Sequence, residues 1–368
     1  MTAPPEGTVA KRCVMQRNGT EDGPPVRVAI DAMGGDFAPV ETVKGALQVL
    51  RSVNAELLLV GDPGLVQEEL SKYNIAGLPV TVIPSEGKIL DDEHPLQALR
   101  QKPKSSVMVA TQLVKQGQAD VMVSMGSTGA SMASAVLSLG LMEGLERPCL
   151  GGPFLGLAPN TVLVDIGSNL DCRPGLLLSF AVLGAAFAHT YMGIENPRIG
   201  LLSVGAESAK GNRQVQESYQ LFQDSHLNFV GNVEGFDFFT GKADVIICDG
   251  FVGNILVKFT EGMGGALSAF VQEKLEGAVD SAIVEQLADD LWETTNRPRT
   301  VGGGPLFGVN APVILGHGSC RANGVEGAVR TAVRYVNVGL LDIMRQELAV
   351  INNSGAGSGV GKAADAAN

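Results

Sequence analysis

Asn254 and Lys258 stand four residues apart in Gly253-Asn-Ile-Leu-Val-Lys258, a stretch that reads as the opening of a helix. Four residues is about one helical turn, so both side chains share a face near the positive end of the helix dipole and together can hold an anion. A solvated Lys258 is the plain alternative. Lys210 and Asn212 flank Gly211 ahead of a second helical stretch, where they suit the same chemistry or a helix cap beside an exposed lysine. His317 sits between Gly316 and Gly318 at the end of an apolar run, and an imidazole among such small residues is placed to exchange protons or donate hydrogen bonds. His94 precedes a proline in an acidic loop, His189 lies inside an apolar helix and His226 follows a helix, so all three read as structural. Neither Gly-x-Ser-x-Gly nor a cysteine with a local base is present. Nothing therefore points to a covalent intermediate, and Cys320 beside Gly318-Ser319 is the one tempting nucleophile. Asp31, Asp36, Asp165, Asp171 and Asp249 fall at strand ends, where they fit either oxygen ligands for a divalent cation or caps on helix N-termini.

Such side chains need a scaffold, and short β-branched runs alternate with amphipathic stretches along nearly the whole chain. Strand-like runs lie near 27–31, 57–60, 80–83, 121–124, 162–165, 199–204, 245–249 and 313–315, with helical patterns between them, as at 40–51, 65–73 and 105–116. That alternation predicts βαβ units, an α/β fold with a mainly parallel sheet and flanking helices. Six runs end in glycine with small polar residues: Asp31-Ala-Met-Gly-Gly-Asp36, Ser124-Met-Gly-Ser-Thr-Gly129, Asp165-Ile-Gly-Ser-Asn169, Val204-Gly-Ala-Glu-Ser-Ala-Lys-Gly-Asn212, Asp249-Gly-Phe-Val-Gly-Asn254 and Gly316-His-Gly-Ser319. One glycine after a strand is ordinary turn chemistry. Six predict one extended polar cleft at the carboxyl ends of the strands, where backbone N–H groups approach an anion. No loop matches the P-loop, and none places G-x-G-x-x-G after the first strand with an acid about 20 residues on, which counts against ATP and NAD.

The 368 residues are 45% hydrophobic, enough for one large core or two fused lobes. Residues 1–25, ending in Gly23-Pro24-Pro25, lack helical or strand periodicity and read as a disordered leader with no signal peptide; residues 352–368, rich in Gly, Ala, Ser and Asn, read as a disordered tail. The core is therefore expected at 26–351, and it carries essentially all of the net charge of −12, which disfavours nucleic acid as a partner. No uncharged apolar stretch reaches the roughly 18 to 20 residues of a membrane-spanning helix. Five cysteines at wide spacing, without Cys-x-x-Cys, suit reduced thiols in a cytoplasm and no metal site. From 266 to 291, Leu267, Val271, Leu275, Val279, Ile283, Leu287 and Leu291 recur every four residues, and Gly277 is expected to split the run into a hairpin of two helices with an apolar edge. That edge suits a membrane surface or a partner subunit, although its polar side carries Glu and Asp where a lipid-seeking helix normally has Lys and Arg.

The loops, in this order, resemble those of the bacterial phosphate acyltransferases of the PlsX type. The likeness runs from about Val26 to Tyr335 through Val28-Ala-Ile-Asp-Ala-Met-Gly-Gly-Asp36 with Ala38-Pro39, Ser105-Ser106, Gly126 with Thr128-Gly129-Ala130, Asp165-Ile-Gly-Ser-Asn169 and Lys210-Gly-Asn212. It continues through Gly231-Asn-Val-Glu234, Asp249-Gly-Phe251 with Gly253-Asn254, Gly302-Gly303 with Pro305-Leu306, and Ala311-Pro312 with His317-Gly318. The sequence departs from the family pattern at Phe37, Ser127, Ser208, Arg321 and Asn323. The resemblance implies a fold similar to phosphotransacetylases and isopropylmalate dehydrogenase, with two lobes expected at about 26–140 with 296–351 and at about 141–295. It also implies a cytoplasmic homodimer that needs no cofactor, takes acyl carrier protein as donor, associates loosely with the membrane and hands its product to a downstream membrane acyltransferase. Inorganic phosphate would attack the thioester directly, forming acyl phosphate for phospholipid synthesis. On that view Lys210, Asn212, Gly34, Gly35, Thr128 and Gly129 bind phosphate, and His317, Asn254 and Lys258 form the catalytic group. Acyl carrier protein is acidic, so Arg100, Lys102 and Lys104, the densest basic cluster, are the expected docking site. A short-chain acyl-CoA phosphotransacetylase and a non-catalytic carrier-binding scaffold are the competing possibilities.

Overall fold

Valine, isoleucine and leucine fill the strands, and in the interior strands both faces are buried, the pattern of a parallel sheet covered by helices on two sides. The computed structural model describes residues 23–158, 160–297 and 302–353. The expected leader and tail lie outside the described residues except at their inner edges.

Among the described residues, eleven strands form one sheet. They are β1 (Val26–Asp31), β2 (Ala55–Gly61), β3 (Val80–Pro84), β4 (Val121–Ser124), β5 (Cys149–Pro153) and β6 (Val162–Val164), followed by β7 (Ile199–Leu202), β8 (Phe229–Val233), β9 (Val245–Ile247), β10 (Gly304–Phe307) and β11 (Val313–Leu315). The spatial order is β3-β2-β1-β4-β11-β10-β5-β6-β9-β7-β8. One half, β3-β2-β1-β4-β11, is parallel throughout, as is the other, β6-β9-β7-β8. Between them β10 runs antiparallel to both β11 and β5, and β5 antiparallel to β6. Three reversals in a row leave the two halves running in opposite senses.

The helices are α1 (Val40–Val49), α2 (Pro63–Leu70), α3 (Pro95–Gln101), α4 (Ser106–Lys115), α5 (Thr128–Leu139) and α6 (Pro174–Thr190), then α7 (Arg213–Gln223), α8 (Gly250–Leu275), α9 (Ser281–Thr295), α10 (Ala322–Asn337) and α11 (Leu340–Asn353). Their starts are legible locally: Pro63, Pro95 and Pro174 occupy first-turn positions where a missing N–H costs nothing, and Asp62, Asn212 and Asp249 cap the helices that follow. One core cluster joins α1, α6, α10 and α11 to the sheet. A second lies beneath α3, α4 and α5, and a third beneath the start of α8. The same clasp recurs in each half: Arg27 grips Asp120 beside β1 and β4 (2.6 Å), and Arg198 grips Asp244 beside β7 and β9 (2.8 Å). Among the described residues no helix is long and apolar enough to cross a membrane.

Candidate active site

The strand-end loops gather into two constellations. In the first, β1 delivers Asp31 to the interior, where its carboxylate accepts a hydrogen bond from the Ser124 hydroxyl at the end of β4 (2.8 Å). Ser124 Oγ in turn accepts from the Gly126 N–H (3.0 Å). Gly34 has to be glycine here, because a Cβ would lie 2.6 Å from Asp31 Oδ2 and 2.7 Å from Gly126 N. Gly35 adopts φ +99°, a left-handed conformation that favours glycine. The loop then closes on the one after β11, as the Asp36 N–H donates to Gly318 O (2.9 Å). Thr128 and Gly129 open α5 at the exposed rim of this group. Gly34, Gly35, Thr128, Gly129 and His317 are thus brought together. Burial pushes the Asp31 carboxyl above its usual range, against the pull of its hydrogen bonds.

His317 is half-buried, and its Nδ1 lies 3.2 Å from the Ser319 N–H and 2.9 Å from the Ser319 hydroxyl. A backbone N–H can only donate, so Nδ1 accepts, and a neutral ring then carries its proton on Nε2.

The second constellation grows from β6 and β9. Buried Asp165 accepts from the N–H groups of Gly167 (3.1 Å), Ser168 (3.0 Å) and Asn169 (2.8 Å) and from the Asn169 amide (2.9 Å). Burial nevertheless raises its carboxyl above the usual range. Asp249 caps α8 through the Val252 N–H (2.8 Å). The start of α8 presses on the Asp165 loop so closely that any Cβ on Gly253 would strike the Asp165 carbonyl. Asn254 lies against Gly167, and Lys258, exposed one turn on, is 3.5 Å from Glu261. Asp31, Asp165 and Asp249 are therefore engaged by backbone N–H groups or a hydroxyl, the role of cap and loop anchor. Asn212 caps α7 through the Val215 N–H (2.9 Å), and Lys210 beside it is exposed. The Gln214 side chain ties this loop to the Cys172 carbonyl (2.6 Å). Cys149, Cys172, Cys248 and Cys320 are buried thiols; burial pushes the Cys172 thiol up to about 12, far from nucleophilic character at neutral pH.

Asn254, in the first turns of α8 after β9, and His317, in the loop after β11, thus follow strands of opposite sense. Ile166, in the loop after β6, packs against both the cluster under α5 and the cluster under α8, so the two constellations flank a common wall. The basic cluster expected to dock a carrier lies at the end of α3, whose first turn meets α5 where Pro95 faces Gly129. Lys102 is paired with Glu93 (2.6 Å) and Lys104 with Glu86 (2.8 Å), while Arg100 is exposed.

Two features escaped the sequence reading. Half-buried Lys88 brings its ammonium to 3.5 Å from Gly35 O, giving the first constellation a cation; it follows Gly87 after β3, the same strand-end signal that marked the other loops. Phe37 and Arg321, both departures from the family pattern, are in contact, with the guanidinium 3.5 Å from the ring centroid.

A family model described as "Fatty acid synthesis protein" matches residues 26–342. A phosphate acyltransferase of Desulforamulus reducens is 40% identical over 325 residues, covering 88% of this chain and 97% of that relative. One from Acaryochloris marina is 44% identical over 313 residues, covering 83% and 90%. Among solved structures, a phosphotransacetylase from Streptococcus pyogenes superposes with a TM-score of 0.55 at 20% identity, over 89% of this chain and 94% of that one. A 4-hydroxythreonine-4-phosphate dehydrogenase from Klebsiella pneumoniae gives 0.50 at 11% identity, over 85% and 100%. These last two likenesses show the fold, an α/β sheet of phosphotransacetylase type.

Proposed function

The chain belongs to the phosphate acyltransferase family, and from that premise we propose that it moves a long-chain fatty acyl group from acyl carrier protein onto inorganic phosphate, making acyl phosphate for phospholipid synthesis. The observation that carries this is the first constellation: glycine loops after β1, β4 and β11 meet around Asp31 with the open N-terminus of α5, His317 and Lys88 at one rim. Backbone N–H groups and a cation at a helix start suit a phosphate. Phosphate is already a charged nucleophile and a thioester is activated, so the protein needs chiefly to align the two and stabilise the oxyanion.

A phosphate oxygen attacks the thioester carbonyl carbon, the C–O bond forms, the C–S bond breaks, and the carrier's thiolate leaves and takes up a proton. Gly34, Gly35, Thr128 and Gly129 hold the phosphate. His317, through Nε2–H, donates to the thioester oxygen or leaving sulfur. Asn254 and Lys258 approach from across the Ile166 wall, and Lys210 and Asn212, from the loop after β7, complete the proposed phosphate ligands. Acyl carrier protein docks at Arg100, Lys102 and Lys104, and the α8–α9 hairpin meets the second subunit of a homodimer or the membrane surface where a downstream acyltransferase takes the product.

The test is phosphate-dependent release of free carrier from palmitoyl carrier protein by the purified protein. Release that requires phosphate and is faster than from short-chain acyl-CoA is the expected outcome. Preference for short-chain acyl-CoA would make the chain a phosphotransacetylase, and carrier binding without turnover would make it a scaffold.

A further inference from the structure

The loops that carry Gly34-Gly35 and His317-Gly318 are each anchored in the sheet, and their tips meet at the surface. The Asp36 N–H donates to Gly318 O (2.9 Å). Glu41, in the first turn of α1, accepts from the Ala322 N–H at the start of α10 (2.8 Å) and lies 3.6 Å from Arg321 Nη1. Arg321 then lays its guanidinium on the Phe37 ring, 3.5 Å from the centroid.

The helices behind these loops need no such help. α1 and α10 pack so tightly at Gly45 that a Cβ there would collide with the Ala322 carbonyl. The Arg321 side chain is 64% exposed, and an exposed cation–π contact adds little to the stability of a whole domain. Its reach is local: it fixes the tip of one N–H-bearing loop against the other. A planar guanidinium can stack on the ring while one of its N–H groups still faces Glu41, and an ammonium cannot do both with the same geometry.

We propose that Arg321 is a positioning residue, clamping the Gly34–Phe37 loop to the His317 loop through the Phe37 ring so that the acceptor phosphate meets a preassembled set of donors. This presupposes the acyl transfer to phosphate proposed above. The clamp is read on the phosphate KM, because Phe37 lies on the loop of Gly34 and Gly35, which are proposed to hold the phosphate.

Steady-state release of carrier from palmitoyl carrier protein, with inorganic phosphate and acyl donor varied in turn, tests it in wild type, Arg321→Ala, Arg321→Lys, Phe37→Leu and the double variant Phe37→Leu, Arg321→Ala. Either loss is expected to raise the phosphate KM by about two- to fivefold, with the donor KM and the melting temperature little changed. The double variant should be no worse than Arg321→Ala, and Arg321→Lys should fall between it and wild type. An unchanged phosphate KM in Arg321→Ala, effects that multiply in the double variant, or a joint rise of both KM values with a lower melting temperature each overturn the clamp. Absence of phosphate-dependent release in wild type instead overturns the acyl-transfer proposal, and the clamp's role with it.

Discussion

Lys88, Lys210 and Lys258 are three cations proposed for one anion, and their surroundings rank them. Lys258 has Glu261 at 3.5 Å to compete for it, Lys210 is exposed, and Lys88 is half-buried beside Gly35. A charge-assisted contact is worth about 1.5 to 3 kcal/mol and loses value in solvent, so Lys88→Ala should raise the phosphate KM by at least about tenfold, and Lys210→Ala and Lys258→Ala by less. Parental phosphate kinetics in all three would show that the anion is held elsewhere. Asp31 offers a second test, through pH. Its carboxyl is raised by burial, so folding favours the protonated form, and the stability this group contributes is present below the ordinary carboxyl pKa of about 4 and is lost as pH rises through the raised value. Urea unfolding from about pH 4 upward should therefore show wild type losing ground to Asp31→Asn; a constant difference would mean that the carboxyl ionises normally. His317 and the glycines were legible because their types are rare in apolar runs. The Phe37–Arg321 contact was not, because it joins residues far apart in sequence through a side-chain stack that leaves no local pattern.

Eight strands announced themselves as β-branched runs, but β5, β8 and β10 did not. Cys149-Leu-Gly-Gly-Pro153 and Gly304-Pro-Leu-Phe307 read as turns by composition, and they become strands through tertiary packing. At Gly151 a Cβ would sit 2.7 Å from both Phe307 and Val164, so the residue that weakens strand propensity is the one the sheet junction requires. Strands expected to reach Val204 and Asp249 stop at Leu202 and Ile247, and Asp249 turns back to cap α8. The hairpin expected at 266–291 is present, with α8 ending at Leu275, Gly277 at φ +72° and α9 starting at Ser281. Val284 and Ala288 face inward, while Phe259, Leu267, Phe270, Ile283 and Leu287 stand exposed, and a contiguous apolar patch of this kind marks an interaction surface. Vesicle flotation of wild type and of Leu275→Glu, Val279→Glu, with size checked by light scattering, separates its two proposed uses. A variant that keeps the wild-type size and stops floating identifies lipid contact; one that falls to a smaller size identifies a subunit interface.

The whole molecule carries a net charge of −12, which would repel the acidic carrier proposed as donor at long range, so the proposed docking depends on a local patch. Lys102 and Lys104 are already paired with Glu93 and Glu86, which lowers the field they project. Arg100→Glu, Lys102→Glu, Lys104→Glu should raise the carrier KM and reduce its salt dependence, leaving the phosphate KM unchanged; an unaltered carrier KM would move the docking site elsewhere. At this scale the six glycine loops expected to line one cleft come from two sets of strands of opposite sense, since β10 and β5 reverse the sheet between its halves. No local pattern foretold that reversal, because the two strands that perform it are the least strand-like in composition. The same arrangement governs how the chain is made. β4 is complete at Ser124, yet its outer neighbour β11 begins only at Val313, about 190 residues later, so at about 5 to 20 residues per second a ribosome leaves that edge unpaired for roughly 10 to 40 s. During that interval Val121-Met-Val-Ser124, an apolar strand with one open side, is a template for pairing with the wrong chain, and fast synthesis or a waiting chaperone should raise the yield of soluble protein more than any change to the finished core.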